Sequence, residues 1–260
     1  MPGPYENILV ERVDDVVTLT LNRPERLNVL TRAMIADVTD ALVEIGSSDA
    51  TGVVIAAAGR IFSAGHDFGE MAGADLVASR SLFHSCSVMM RTLREIPQPV
   101  VARVHGLATG AGCQLVAACD LAVASRSASF ATPGGKGGLF CTTPLVAVGR
   151  LIGRRRALEM GMTGDAIDAT TAADWGLVNR VVEDETLDES TRELLARATR
   201  GSVESKAIGK RAFYAQIDLP LSAAYDLASE VMASAVLIPD SQEAITAFLE
   251  KRPARWTRPA

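Results

Sequence analysis

Two turns made of small residues each follow an apolar run in the sequence. The first, "GRIFSAGHDF" (59–68), comes after "GVVIAAA", and the second, "TGAGCQ" (109–114), comes after "VVARV". Small residues let a ligand approach the backbone closely, and free N–H groups in such turns or at a helix start favour negative charge. The two turns therefore suit an anion or a developing negative charge. Ordinary turn glycines with tight helix–strand packing are the alternative interpretation.

Neither turn fits a nucleotide-phosphate motif. A P-loop requires Lys followed by Ser or Thr, and "GAGCQL" lacks the third glycine of the dinucleotide fingerprint. The chain also has no G-x-S-x-G nucleophile elbow. One N–H from each turn could instead converge on a single carbonyl oxygen and stabilise the charge that it gains in an enolate or tetrahedral adduct. The sequence thus favours an oxyanion site formed by both turns.

Composition narrows the class of protein. The chain has 260 residues and a net charge of −5, with no basic run long enough to suggest a nucleic-acid groove. No apolar run is long enough to cross a bilayer, and the start lacks the pattern of a signal or transit peptide. We therefore expect a soluble, cytoplasmic protein with no nucleic-acid partner and no membrane insertion.

The cysteines and histidines do not predict a metal site. None of the cysteines forms a C-x-x-C pair, and the three histidines are far apart in sequence. Free, mostly buried thiols are the expected state. The cysteines are Cys86, Cys113, Cys119 and Cys141.

The elements that must position the two turns alternate between strand and helix. Apolar runs on either side of Asp14 and Asp15 predict an N-terminal hairpin, and a helical stripe that starts after Thr31 predicts the first helix. Further strands are expected at 52–58, 100–104, 121–125, 129–133 and 177–182. Strands alternating with helices predict parallel βαβ units, so the fold class is α/β with a mostly helical C-terminal part.

Several segments, in order along the chain, resemble the enoyl-CoA hydratase/isomerase (crotonase) superfamily. "FSAGHDF" and "HGLATGAGCQLVAACDLAVAS" are similar to its two main signatures, and "NRPERLNVLT" to its N-terminal coenzyme A segment. "MTGDAIDATTAADWGLVNRVV" and "AITAFLEKRPARW" resemble its later signatures. The segment 137–160 resembles one subgroup, the enoyl-CoA hydratase domain-containing proteins that are mitochondrial in animals and have bacterial relatives.

The resemblance implies a crotonase-like ββα spiral core over 1–200 and a helical C-terminal trimerisation region over 201–260, both parts of one functional unit. It also implies a homotrimer or a dimer of trimers. The partner is an acyl-CoA thioester, so coenzyme A enters as part of the substrate and no separate cofactor is expected. The apolar stripe of Ala223, Leu227, Val231 and Ala235 is expected to be covered in part by neighbouring subunits.

The resemblance also assigns residues. The oxyanion donors would be the N–H groups of Ala64 and Ala111, with Gln114 at the catalytic position that follows. The residues implied to lie against the substrate are Arg26, Leu27, Ser63, Ala64, Gly65, His66, Asp67, Gly110, Ala111, Phe140, Phe248 and Lys251. Phe248 and Lys251 would reach the nucleotide end across a subunit boundary. His66 is either a proton donor or a coenzyme A contact, with a packing or surface role as the alternative; Asp67 is expected to stabilise its turn.

The chain departs from the family where hydratases carry two glutamates. These positions fall on Gln114 and Gly134, and the carboxylate of some isomerases falls near Thr142. An amide has no protonation equilibrium near neutral pH and glycine has no side chain, so the usual hydration machinery is absent. "SAGHD" resembles the family's methylmalonyl-CoA decarboxylases, but Phe140 stands near the position of their tyrosine.

Three functions stay open at this point. The first is an acyl-CoA enzyme of fatty-acid metabolism, in the lyase or isomerase class, that works mainly through the oxyanion hole. The second is a non-catalytic acyl-CoA binder or regulator. The third is a decarboxylase of malonyl-type thioesters, since loss of carbon dioxide needs no base.

Overall fold

A computed structural model describes residues 5–257 of the chain, and its main sheet has six strands. The strands of the described residues are β1 (Ile8–Val13), β2 (Val16–Leu21), β3 (Gly52–Ala57), β4 (Val100–Val104), β5 (Leu107–Thr109), β6 (Leu121–Ser125), β7 (Ser129–Ala131), β8 (Ile167–Asp168) and β9 (Arg180–Val182). The main sheet has the order β1-β2-β3-β4-β6-β9, and only the β1–β2 hairpin is antiparallel. Both the hairpin and the parallel βαβ core are confirmed.

Helices cover the sheet and form the C-terminal part. Within the described residues they are α1 (Arg32–Gly46), α2 (Phe68–Met71), α3 (Leu76–Glu95), α4 (Ala111–Ala118), α5 (Pro144–Ile152), α6 (Arg154–Thr163), α7 (Ala169–Trp175), α8 (Leu187–Thr199), α9 (Val203–Gln216), α10 (Leu221–Ala235) and α11 (Pro239–Leu249). Thr31 is the N-cap of α1, where its hydroxyl accepts a hydrogen bond from the N–H of Met34 at 3.1 Å. No single described helix is long and apolar enough to cross a bilayer; α10 and α11 reach that composition only as a pair bent by 74°.

The core lies between the main sheet and the apolar faces of α1 and α3. Every residue of β3 is buried, as a strand covered on both faces must be. The expected helical stripes point into this core and are buried. They comprise Ile35, Val38, Leu42 and Ile45 on α1, and Leu82, Cys86, Met89 and Leu93 on α3.

Two parts of the fold differ from the sequence-based expectation. The strand expected over 177–182 is confined to β9, because Gly176 ends α7 in the left-handed conformation (φ 88°) and the N–H of Leu177 then donates to the carbonyl of Ala172. The short strands β5, β7 and β8 form a separate three-stranded sheet. Neither β5 nor β8 was predicted, since runs of two or three residues carry no period.

The C-terminal helices expose apolar surface. Neither α9 nor α10 contains a fully buried residue in the single chain. The expected stripe is partly covered within the chain, since Leu227 and Val231 line a groove that α9 completes. Larger apolar side chains on α10, among them Leu221, Tyr225 and Met232, are exposed instead.

Candidate functional site

The two small-residue turns lie side by side. The N–H of Thr109 donates to the carbonyl of Ser63 at 2.9 Å, and Ser63 also forms an isolated parallel bridge with Ala108. Gly65 has φ 86°, and a Cβ there would lie 2.9 Å from the carbonyl oxygen of Thr109 and 3.2 Å from the nitrogen of Ala111. A side chain at position 65 would therefore separate the turns, and glycine allows their close approach.

The two expected oxyanion donors are not equivalent. Ala111 is the first residue of α4, and its N–H has no acceptor among the described residues, as helix starts require. The N–H of Ala64 donates to the carbonyl oxygen of Leu27 at 3.0 Å. In this conformation the Ala111 donor is free and the Ala64 donor is engaged.

The loop that supplies this competing carbonyl is held in an uncommon conformation. Leu27 and Asn28 both have positive φ (56° and 51°), which is unfavourable for leucine but adopted more readily by asparagine. The side-chain amide of Asn28 donates to the backbone carbonyl of Ala58 at 2.8 Å, and the backbone carbonyl of Asn28 accepts from the buried hydroxyl of Ser63 at 2.8 Å. Ser63 therefore braces the loop and does not line the cavity.

A cavity of about 490 Å³ opens beside the two turns, and Ala64 and Ala111 both line it. This volume lies within the range of small-molecule sites. The described lining contains no Asp, Glu, Lys or Arg. Its larger apolar side chains are Phe68, Met71, Phe83, Leu139 and Phe140. The sequence pointed to Phe140 but not to Phe83, which follows the buried Leu82 and has no motif to mark it.

His66 lines the same cavity as a neutral imidazole. Its ring meets Phe83 edge-on at 5.3 Å between centroids, and neither ring nitrogen has a hydrogen-bond partner among the described residues. Burial lowers the pKa of His66 below its ordinary value, because water no longer solvates the charged form. The residue is placed to contact a ligand, although it is not charged near neutral pH.

Neither position of the hydratase glutamates supplies an acid or base. Gln114 is buried on α4, and it lines a second cavity rather than the first. A Cβ on Gly134 would overlap the carbonyl oxygen of Leu139 and lie 2.8 Å from the sulfur of Cys141. The segment 139–141 thus fills the space that a carboxylate at position 134 would need.

Cys141 is the polar side chain nearest to that space. Its sulfur accepts a hydrogen bond from the N–H of Gly134 at 3.2 Å, and burial raises the pKa of the thiol. The group is therefore a neutral thiol and not an activated nucleophile. Thr142 is exposed beside it and provides no carboxylate.

The other expected substrate contacts divide into two groups. Arg26 forms an ion pair with Asp67 at 2.9 Å, and neither residue lines the cavity. Asp67 also caps α2 by accepting from the N–H of Gly69 at 2.7 Å, as expected of a carboxylate that stabilises its turn. Phe248, 81% exposed, and Lys251 do not line the cavity of their own chain. Their expected action across a subunit boundary stays a prediction.

Several known proteins are similar to this chain in sequence and structure. Enoyl-CoA hydratase domain-containing protein 3, mitochondrial, of Rattus norvegicus is 44% identical over 246 residues, which are 94% of this chain and 82% of that protein. The crystal structure of an enoyl-CoA hydratase from Mycobacterium smegmatis has a TM-score of 0.94 at 43% identity and covers 96% of this chain and 99% of its own. Human enoyl Coenzyme A hydratase domain-containing protein 3 has a TM-score of 0.93 at 39% identity, with 96% and 100% covered.

One expectation is wrong in the light of these relatives. The sequence was interpreted as cytoplasmic, yet the Rattus norvegicus relative and those of Mus musculus, Danio rerio and Homo sapiens are named mitochondrial. The expected cytoplasmic location is therefore not retained for this protein. The cytoplasmic expectation rested on a missing pattern at the start of the chain, which is weaker than the names of similar proteins.

The family itself is shown by the extent of the match. The enoyl-CoA hydratase/isomerase family matches residues 11–259, nearly the whole chain. The solved structures at TM-scores above 0.9 have the same crotonase fold, so the predicted fold class is confirmed. The resemblance to the domain-containing protein 3 subgroup is confirmed as well. The chain therefore belongs to the enoyl-CoA hydratase/isomerase family.

Proposed function

We propose that this protein binds an acyl-CoA thioester and stabilises negative charge on the thioester oxygen. The observation that carries the proposal is the unpartnered N–H of Ala111, which starts α4 in the wall of an otherwise uncharged cavity. A helix start provides partial positive charge as well as a donor, and both act more strongly where water is excluded. Acyl-CoA is the thioester that the family processes.

Ala64 is the second donor in this proposal. Its N–H becomes available to the ligand when the carbonyl of Leu27 shares it or turns away. The left-handed backbone of Leu27 supports this, because a leucine that leaves this sparsely populated conformation recovers part of its cost, although Asn28 and Ser63 hold the adjacent residue in place.

The site favours chemistry without a protein base. Hydration needs a group that activates water, and neither Gln114 nor Gly134 provides one. An acyl-CoA enzyme that works through enolate stabilisation fits the remaining residues. Non-catalytic binding uses the same geometry and differs only in the absence of turnover.

Decarboxylation is the second candidate, and the uncharged cavity favours it. A malonyl-type carboxylate loses its hydration in such a lining. When its C–C bond breaks, the electron pair moves to the thioester oxygen, where the Ala111 N–H stabilises it, and carbon dioxide leaves. Solvent then supplies the proton that converts the enolate to the product thioester.

A screen that records binding and turnover tests these functions. The purified protein is titrated with coenzyme A, hexanoyl-CoA, crotonyl-CoA and malonyl-CoA by calorimetry, and each mixture is analysed for products. Turnover indicates an enzyme, and release of carbon dioxide from malonyl-CoA selects the second candidate. Binding without turnover indicates a binder. If no thioester binds more tightly than free coenzyme A, the proposed recognition of the acyl thioester is wrong.

A further inference from the structure

A second cavity, of about 280 Å³, lies beside the first against the same three helices. On α3, Phe83 lines the first cavity and Ser87 lines the second, one helical turn further on. On α4 the corresponding residues are Ala111 and Gln114. Thr143, at the start of α5, lines both cavities. The two cavities are therefore adjacent chambers that share Thr143, and Gln114 lies on the side of the second chamber that faces the first along α4.

The second chamber ends within the reach of an acyl chain held at the oxyanion donor. Ala118 lines it as well, and Ala118 stands seven positions after Ala111 on α4, which is roughly 10 Å along a helix. A medium-length acyl chain whose thioester lies at Ala111 would thus place its distal end in the second chamber.

The two chambers differ in charge. The second is lined by His84, Arg91 and Arg94, and its described lining contains no carboxylate. Neither arginine forms an ion pair among the described residues. Arg94 is half-buried, stacks at 5.0 Å on the ring of Tyr214, and has an Nε–H that is buried without an acceptor. Arg94 also donates from Nη2 to the carbonyl of Ala117 at 3.5 Å, but guanidinium groups without a carboxylate partner still suit a planar anion such as a carboxylate.

Gln114 fits the same ligand. Its Oε1 atom is buried and has no donor among the described residues, and rotating the amide would place its NH₂ group there instead, where it needs an acceptor such as a carboxylate. Because an amide can rotate to present either its oxygen or its NH₂, Gln114 can donate to an anion. A glutamate at this position would repel the anion and compete for the arginines.

We propose that the second chamber binds a carboxylate at the distal end of the acyl chain, so that the preferred ligand is a medium-chain ω-carboxyacyl-CoA. This inference rests on the proposed binding of acyl-CoA thioesters and names the class of acyl group. The uncharged first chamber holds the thioester and the methylene chain, and Arg91, Arg94 and Gln114 bind the carboxylate.

Pairs of ligands that differ only at the distal end test the inference. Calorimetry gives the Kd of hexanoyl-CoA against adipoyl-CoA and of octanoyl-CoA against suberoyl-CoA, where a terminal carboxylate replaces a terminal methyl group. Hydrogen bonds to a charged group predict a preference of about tenfold or more for the carboxylate at one or both lengths.

Variants of the two arginines test whether the preference for a distal carboxylate arises in the second chamber. Arg91→Ala, at an exposed position without an ion pair, should remove most of the preference, and Arg94→Gln should lower it as well. Arg80→Ala is the matched control, since Arg80 is exposed on the same helix and lines neither chamber. Circular dichroism establishes that each variant is folded.

The outcomes separate this inference from the proposed function. Equal affinities within both pairs overturn the distal carboxylate while acyl-CoA binding stands. A preference that survives both Arg91→Ala and Arg94→Gln overturns its assignment to this chamber. If none of the four thioesters binds more tightly than free coenzyme A, the proposed function fails and this inference fails with it.

Discussion

The ammonium group of Lys210 on α9 lies 2.7 Å from a carboxylate oxygen of Asp120, which follows α4. The same ammonium donates to the carbonyls of Leu93 and Gln98 at 2.8 Å each, and the hydroxyl of Tyr214 donates to Asp120 at 2.8 Å. The Lys210 and Asp120 side chains are only 9% and 16% exposed. This network fastens the C-terminal helices to the far end of the helix that begins with Ala111.

We expect Lys210→Met to lower the free energy of unfolding by about 3 kcal/mol, since it leaves a poorly solvated carboxylate without its ionic partner. Urea denaturation measures the change. Adding Asp120→Asn should recover part of the loss, because the amide needs no counter-ion. Arg126→Ala breaks an exposed ion pair with Glu183 and is the control that should change little. Equal effects of Lys210→Met and Arg126→Ala would contradict the structural role of the network.

Ala111→Pro should remove the free donor and preserve α4. Proline is tolerated at the first helical position, and Gly110 already has the mirror image of an extended conformation (φ 55°, ψ −119°), which glycine adopts freely. Turnover should drop roughly 10²–10³-fold, or thioester binding should weaken by about 1–3 kcal/mol if the protein only binds. Ala111→Gly keeps the N–H and is the control. A folded Ala111→Pro variant with unchanged binding and turnover would show that the turn serves packing alone.

Crotonyl-CoA should be hydrated very slowly or not at all, because each missing acid or base costs on the order of 10²–10⁴ in rate. The variant Gln114→Glu restores one carboxylate and should not restore efficient hydration. Adding Gly134→Glu should not help either, since its Cβ overlaps the carbonyl of Leu139. A spectrophotometric assay of the enoyl thioester measures the rates. Rapid hydration by the unmodified protein would mean that the acid and base are other residues.

The free energy of unfolding should decrease at acidic pH because His66 is protonated more readily in the unfolded chain. Its pKa is lower in the folded chain than the ordinary value of 6.5, so the unfolded chain binds more protons at pH values below about 6.5. The free energy of unfolding should therefore decrease as the pH falls from about 6.5 towards the lowered pKa. His66→Phe should reduce this dependence, and His84→Gln, at an exposed histidine, should not. Urea midpoints at several pH values measure it; identical slopes for both variants would rule out His66 as the cause.

The exposed apolar side chains of α10 should be covered by neighbouring subunits. We expect a trimer or a dimer of trimers by light scattering, and Met232→Asp, at a side chain that is 72% exposed, should weaken the assembly. Val13→Asp is the control at an equally exposed position in the hairpin. A monomer at all concentrations would contradict this prediction.

The sequence allowed the elements that carry a clear period to be predicted. The hairpin around Asp14, the cap at Thr31 and the buried face of α3 all follow from local patterns. The sequence also pointed to the approach of the two turns, because each follows a buried apolar strand, although the structure places the short strand β5 of the smaller sheet between β4 and the second turn.

Features that depend on packing between distant segments could not be predicted. No local pattern shows that the Leu27 carbonyl occupies the Ala64 N–H. The obstacle at Gly134 is likewise the segment 139–141 and not its own backbone angle, since its φ is not positive. The second chamber depends on three helices that are separated in sequence.

Because the N–H of Ala64 already donates to the carbonyl of Leu27, a ligand must displace that carbonyl in order to bind this donor. An uncharged thioester oxygen and the Leu27 carbonyl are similar acceptors, so exchanging one for the other gains almost nothing. An enolate oxygen forms a much stronger bond and displaces the internal acceptor with a clear gain. Because the Leu27 carbonyl already accepts from the Ala64 N–H, this second donor of the proposed site binds the charged enolate oxygen in preference to the uncharged thioester oxygen. Such discrimination lowers a barrier without tightening ground-state binding.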